Sequence, residues 1–365
     1  MKISIENSPD RIELIKAMGS KDKLKAAEAQ EAFAAFIAPV AQEVINNAST
    51  SSLFFKTIEY NEDGNASIPL DLWFDEAAGY VTVWSQGMAG GLPSSQVEGL
   101  KELKVSTYTL DTAVSFLKRY ARLGRLDVVA KAVERMVQEL SIKREKNTWA
   151  VALKALAEGL TKTLRHTVTT SAAGAMTVAD LSALITRARR ISSSFANGTP
   201  DPAPGLGITD LFVSPEVKGL IRNFAYEPMN STGSLSTGPV PLPDAVREEI
   251  FRSAGASEIF GITIFDLIEL GVNQRYNQLF QAYAAAGIAH SSANFAAATH
   301  TINIGVDMTR DGCFRPVEVN SDTGGQVSVQ VDDQFAARAD KAGFYAGIDE
   351  GAICVDARVL TGIIS

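Results

Sequence analysis

The chain has 365 residues, 46% hydrophobic and 21% charged, a balance that suits one elaborate domain or two subdomains and excludes disorder as the main state. Its net charge of −8 at pH 7 excludes binding of nucleic acid by phosphate neutralisation, which needs a concentrated basic face. The start lacks a secretory signal and no run approaches the roughly 20 apolar residues of a membrane span, so no membrane partner is expected and assembly in the cytoplasm is the default.

Taken in chain order, residues Asp10 to Asn47 predict a helix. Ala26, Ala29, Phe33, Phe36, Ile37 and Val40 recur at threes and fours, and Pro39 is expected to kink or break it. That apolar stripe requires burial, either in the chain's own core or against a partner subunit.

A segment of different character follows. Leu53 to Tyr60 is β-branched and aromatic and ends in the turn residues Glu62-Asp63-Gly64-Asn65. Short strands are expected at Ile68 to Phe74 and Tyr80 to Trp84, then a flexible connection at Gly87 to Pro93, then a returning strand at Glu102 to Leu110. This β excursion carries Phe54, Phe55, Trp73, Phe74 and Trp84, which fits a private mini-core or an intersubunit surface.

From Leu126 to Leu164 the period becomes helical. Leu126, Val129, Val133, Met136, Val137 and Leu140 share a face, continued by Trp149, Leu153, Leu156, Leu160 and Leu164, with Gly159 as the candidate interruption. Such a helix is on the order of 55–60 Å long, enough to span a domain. Beyond it, Val178 to Ser192 predicts a helix and Asn197 to Gly205 a loop. Leu211 to Val213 is expected to run into a helix capped by Ser214, with Pro215 in its first position, that continues to Ala225. After a broken polar stretch at Glu227 to Pro243, a strand is expected at Ile259 to Phe265 and a helix at Asn273 to Ala286. The remainder returns to β: Thr301 to Val306, Val317 to Asn320, Val327 to Val331, a mixed segment at Phe335 to Phe344, and a closing strand at Ala352 to Leu360.

Chemistry-bearing motifs are absent from the sequence. There is no phosphate-binding loop, no nucleophile elbow and no two-histidine metal helix. His166, His290 and His300 lack acidic partners nearby, and Asp332-Asp333 and Asp349-Glu350 read as solvated charge beside turns. Cys313 and Cys354 are too few for a zinc site and suit a reducing compartment, with a disulfide between them left open. No catalytic, cofactor or metal residue is assigned, and the chain is not expected to be an enzyme.

The order of elements carries more than any motif: a helical arm, a long β excursion, a long helix, a mixed region and a β return. This order, with Ser106 to Asp111 leading into the long helix, Asp210 to Pro215 as a strand-to-helix step, Glu258 to Ile262 opening a strand, and Val331 to Arg338 running on to Tyr345, resembles the major capsid proteins of tailed bacteriophages. The resemblance implies an α+β chain with the Hong Kong 97-type capsid fold: an N-terminal arm at 1–50, an E-loop at 51–110, a P-domain with a spine helix at 111–177, an A-domain at 178–300, and P-domain C-terminal strands at 301–365. It further implies hexamers and pentamers tiling an icosahedral shell around double-stranded DNA in a virion, without sequence-specific binding. Portal, scaffolding and decoration proteins are the partners it brings. Phe33, Phe36, Phe54, Phe55, Trp73, Phe74 and Trp84 are then the expected assembly interface. A crosslink between Lys56 and Asn320, of a kind some members make, is not expected because no matching carboxylate spacing is visible. An encapsulin-like cargo compartment and an unrecognised hydrolase are the competing readings.

Overall fold

The computed structural model of the chain describes residues 9–61, 64, 66–70, 101–161, 163–171, 174–192, 207–223, 245, 248, 258–285, 295–320, 325–332 and 340–365. In chain order the elements are α1 (Pro9–Met18), α2 (Lys23–Ala48), β1 (Lys56–Asn61), β2 (Ser67–Leu70), β3 (Lys101–Lys104), β4 (Tyr108–Leu117), α3 (Lys118–Arg122) and α4 (Leu126–Glu158). They continue with β5 (Leu160–Thr161), β6 (Leu164–Arg165), β7 (Thr167–Thr169), α5 (Val178–Ser192), β8 (Asp210–Val213), α6 (Pro215–Asn223), β9 (Glu258–Ile259), β10 (Ile262–Asp266) and α7 (Arg275–Ala285). The last are β11 (Ile302–Val306), β12 (Cys313–Val319), β13 (Ser328–Asp332), β14 (Lys341–Glu350), β15 (Ile353–Cys354) and β16 (Leu360–Ile364). The chain forms two compact units, one of Met1–Ile68, Leu103–Thr148 and Phe314–Ile353, the other of the intervening segments and the C-terminus.

In the first unit the expected single N-terminal helix is two. The break falls at Gly19 to Asp22, not at Pro39, because local chemistry there is decisive. Asp22 caps α2 by accepting from the Leu24 amide at 3.2 Å. Gly19 lies so close to Arg122 that an added Cβ would sit 2.6 Å from its backbone nitrogen. Pro39 stays inside α2, at the cost of the hydrogen bond its missing N–H would have given the Ala35 carbonyl. Part of the apolar stripe of α2 is buried by the chain itself: Ala29, Phe33 and Ile37 share a core with Val133, Met136 and Val137 of α4 and Phe344 of β14.

The sheet of this unit runs β1-β12-β14-β13, with β4 paired to β14 along all ten residues from Tyr108 to Leu117. The strand expected from Leu53 begins only at Lys56, because Ser51–Leu53 is a 3₁₀ turn. The returning strand expected at Glu102 to Leu110 is two, β3 paired with β2 and β4 paired with β14 as far as Leu117. The expected strand at Tyr80 to Trp84 and the connection at Gly87 to Pro93 lie outside the described residues.

The helix α4 has 33 residues, about 50 Å, and ends at Glu158. Leu160 and Leu164 therefore do not extend its face; they belong to the β5–β6 hairpin. Gly159 stops the helix beside the His166 ring, from whose Cγ and Nδ1 a Cβ there would lie 2.6 Å.

The second unit holds a sheet in the order β7-β16-β11-β8-β10-β9. β16 and β11 are buried throughout, and α5 covers β8 and β16 with Leu181, Leu184 and Ala188 against Leu211, Val213 and Ile363. Trp149, in the last turns of α4, stacks on Tyr276 at 5.5 Å and meets the edge of Phe212 at 5.4 Å. The expected cap of α6 is present, Ser214 Oγ accepting from the Val217 amide at 3.2 Å. Two expected single strands are divided. Phe260 and Gly261, both at positive φ, turn the Ile259 segment into a hairpin. In the C-terminal segment Asp356 caps a 3₁₀ turn at Ala357–Val359, so the closing strand is Leu360–Ile364 and not Ala352 to Leu360.

Candidate functional site

Among the described residues of the first unit, a polar site gathers the chain between α2 and β1, the start of β4 and the middle of α4. After α2 the sequence Ser49-Thr50-Ser51 wraps one carboxylate, that of Glu145 on α4. Glu145 accepts from Ser49 Oγ, from Thr50 Oγ1 at 2.9 Å, from Ser51 Oγ at 2.8 Å and from the Ser51 amide. Hydroxyls at successive positions, competing with the helix for backbone partners, end α2 and direct the chain into β1. β1 then pairs in parallel with β12, Lys56 opposite Phe314 through Asn61 opposite Val319.

Beneath this turn sits a buried charge cluster. Arg144 Nε donates to Glu350 Oε2 at 2.8 Å and Arg144 Nη1 to Asn46 Oδ1 at 3.1 Å. Tyr108 Oη donates to Glu350 Oε1 at 3.4 Å, and Arg315 Nη2 to Thr57 Oγ1 at 3.3 Å. Arg144, Arg315 and Glu350 are all buried, and Arg144 Nη2 and Arg315 Nε and Nη1 have no hydrogen-bond acceptor among the described residues. Asn46 from α2, Thr57 from β1, Tyr108 from β4, Arg315 from β12 and Glu350 from β14 thus converge on one turn of α4. The described ends of the segment 51–110 are fastened there.

The electrostatics follow from burial. Loss of water pushes the Glu350 carboxyl above its usual range against the pull of Arg144 and Arg315. Burial, then the neighbouring Arg144 charge, brings Arg315 down to about 10. Burial and the Glu350 carboxylate push Tyr108 up to about 12. The reading of Asp349-Glu350 as solvated charge is therefore corrected for Glu350, whose side chain is an inward one on a strand with two charged partners. A signal for the cluster exists in the sequence. Arg144 stands four residues after Leu140 on the apolar face of α4, and Arg315 sits between Phe314 and Pro316, so each interrupts an apolar register.

The seven expected interface residues separate into three groups. Phe33 is buried against Phe344 at a ring separation of 5.5 Å, and Phe54 and Phe55 are buried with rings 4.9 Å apart. Their surfaces are covered by the chain's own residues, because helix α2 turns Phe33 inward and the 3₁₀ turn folds Phe54 and Phe55 under. Phe36 faces outward and is 40% exposed. Trp73, Phe74 and Trp84 lie outside the described residues. On another face of α2, a groove of about 790 Å³ runs between α2 and β13, lined by Ala27, Ala34, Ala35 and Ala38 on one side and Val327 and Val329 on the other. In the second unit Phe260, 52% exposed at φ 54°, is an aromatic ring held outward in a backbone conformation that bulky residues avoid. Sequence reasoning passed over it because it sits inside an apolar run.

The histidines remain apart from any such site. His166 is buried, its Nδ1 donating to the Leu360 carbonyl at 3.1 Å and its Nε2 accepting from Thr161 Oγ1 at 2.8 Å. His300 Nδ1 accepts from the Ala296 amide at 3.2 Å, and His290 lies outside the described residues. Among the described residues no group of three or more His, Cys, Asp or Glu side chains is arranged to hold a metal, and no helix is long and apolar enough to cross a membrane.

No protein-family model matches the chain and no curated protein matches it. Solved structures do. The capsid structure of the cyanophage P-SCSP1u superposes with a TM-score of 0.52 at 12% identity, covering 85% of this chain and 86% of that one. The capsid of a native GTA particle gives 0.52 at 11% identity, covering 87% and 90%. The capsid of the empty GTA particle gives 0.50 at 12%, again covering 87% and 90%. The fold is therefore a mixed α/β fold that capsid structures share.

Proposed function

We propose that the chain is the major capsid subunit of a tailed bacteriophage or a related particle, self-assembling as hexamers and pentamers into an icosahedral shell that encloses double-stranded DNA. The observation that carries this reading is the likeness to capsid subunits over more than four-fifths of both chains. At 11–12% identity that likeness is one of fold, and the remainder of the reading rests on what the fold leaves exposed.

A shell subunit must hold a projecting segment in a fixed direction and keep surfaces that only neighbours cover. The described ends of the segment 51–110 suit the first demand: the chain leading into β1 is fastened to α4 by Glu145, and Tyr108 of β4 by Glu350, the partner of Arg144. The α2–β13 groove and Phe260 suit the second. Within this reading the Hong Kong 97-type domains keep the boundaries given above, with α4 as the spine. The role is structural and not enzymatic, the location is the virion, and assembly takes place in the host cytoplasm. The acidic balance suits a wall that does not hold the packaged DNA by phosphate contacts.

The test is the state of the purified full-length protein. Sedimentation and negative-stain imaging are expected to give capsomers, tubes or closed shells. A species that stays a 39.0 kDa monomer across concentration and salt would overturn the reading.

A further inference from the structure

We propose that Cys313 and Cys354 are an oxidative modification site, closing to an intrachain disulfide when the chain meets a small-molecule disulfide such as oxidised glutathione. Both are free thiols, with their Sγ atoms 3.4 Å apart.

The backbone places them opposite one another. The Val355 amide donates to the Gly312 carbonyl at 2.8 Å, and the Gly351 amide donates to the Pro316 carbonyl at 2.8 Å. These bonds run β15 antiparallel to the start of β12 and make Gly312–Val355 and Pro316–Gly351 hydrogen-bonded pairs. Cys313–Cys354 falls between them as a non-hydrogen-bonded pair, the position where Cα atoms approach to about 4.5 Å and side chains lie closest. That spacing lies within the range of about 4.4–6.8 Å that a disulfide spans. Gly312 permits the approach: a Cβ there would lie 2.4 Å from Val359 Cγ2 and 2.7 Å from the Asp356 carbonyl.

The two thiols differ in a way that orders the reaction. Cys354 is partly exposed, whereas Cys313 is buried and its thiol is held well above the usual range by its neighbour Cys354 and by burial. Cys354 therefore meets the reagent first. Its thiolate attacks one sulfur of the small disulfide, that S–S bond breaks, and the released thiolate takes up a proton. The sulfur of Cys313 then attacks Cys354 Sγ, the mixed S–S bond breaks, and the Cys313 proton passes to the second small thiolate as it leaves. Two protein thiols are oxidised by two electrons and one small disulfide is reduced to two thiols. In a reducing compartment the pair stays open; an oxidising medium closes it. Closure joins positions 41 residues apart and pins the segment that leads into β16.

The experiment uses full-length protein purified under reducing conditions and then incubated with oxidised glutathione. The expected result is loss of both thiols, an intact mass lower by about 2 Da, and a linked Cys313–Cys354 peptide in a non-reducing digest. A rise in Tm of about 5 °C, reversed by dithiothreitol, should accompany it. Cys313→Ser is expected to stop at a glutathione adduct on Cys354. Wild-type protein that keeps both thiols, retains the adduct, or links two chains overturns the proposal. Mass and peptide map on the wild type decide this even where the variant fails to fold.

Discussion

Arg144 and Glu350 meet at 2.8 Å with both side chains removed from water, one from the middle of α4 and the other from the last residue of β14. Breaking such a pair leaves a buried charge uncompensated. Arg144→Met should therefore cost about 3–5 kcal/mol. Arg315 lies in the same cluster but on a different footing, since it donates to the neutral Thr57 hydroxyl and burial brings its pKa down to about 10. Arg315→Met should fall within about 1 kcal/mol of wild type or gain stability. Urea unfolding of both variants separates them, and equal losses would contradict the assignment of Arg144 as the partner that Glu350 requires.

Gly159 and His166 predict a steric and an acid effect together. Gly159→Ala drives a Cβ into the imidazole at 2.6 Å and should cost about 1–3 kcal/mol, read as a shift in the denaturant midpoint. Burial lowers the His166 pKa below its ordinary 6.5. The unfolded chain thus takes up this proton first as the pH falls. Stability from neutral His166 is full above 6.5 and is lost as the pH drops through the lower folded value. Unfolding midpoints between pH 7 and 5 should fall, and His166→Gln should flatten that slope; an unchanged slope would remove His166 from the account.

Tyr108 predicts the opposite edge. Its folded pKa of about 12 exceeds the ordinary 10, so its contribution is full below pH 10 and is lost as the pH rises towards 12. Arg315, down at about 10, acts with the opposite sign in that window, so the readout is the difference between wild type and Tyr108→Phe. The variant should lose stability less steeply above pH 10. At pH 7 it should be weaker by about 1 kcal/mol, the worth of its bond to Glu350.

Phe260 should separate folding from assembly. Asparagine accepts positive φ more readily than a bulky aromatic residue, so Phe260→Asn should stabilise the isolated subunit by about 1 kcal/mol. If the ring is covered by a neighbouring copy, the same variant should assemble less completely by sedimentation. A variant that is more stable and assembles normally would remove Phe260 from the interface.

Much of the fold was legible because the sequence is locally consistent. The period of Val129 to Leu140 specifies α4, and Ser214-Pro215 specifies the start of α6, since both depend only on near neighbours. Asp22 outweighed Pro39 in placing a helix break for a related reason: a cap satisfies backbone donors at one place, whereas an interior proline removes only one bond. For the aromatic residues the sequence leaves the chain's own core and a neighbour both open, because periodicity says only that a face must be covered, not by what; Phe33, Phe54 and Phe55 are buried within the chain.

By itself, then, the sequence determined the long helix, the cap of α6 and the β character of the chain after residue 300. The tertiary structure decided that Arg144, Arg315 and Glu350, from α4, β12 and β14, share one buried cluster beside β1 and β4. It also set Cys313 opposite Cys354, through a strand register no spacing rule contains. The physical reason is common to both. Helix period and capping are written in contacts three or four residues apart, whereas the partner of a buried charge or thiol is chosen by whichever distant strand the sheet brings alongside it.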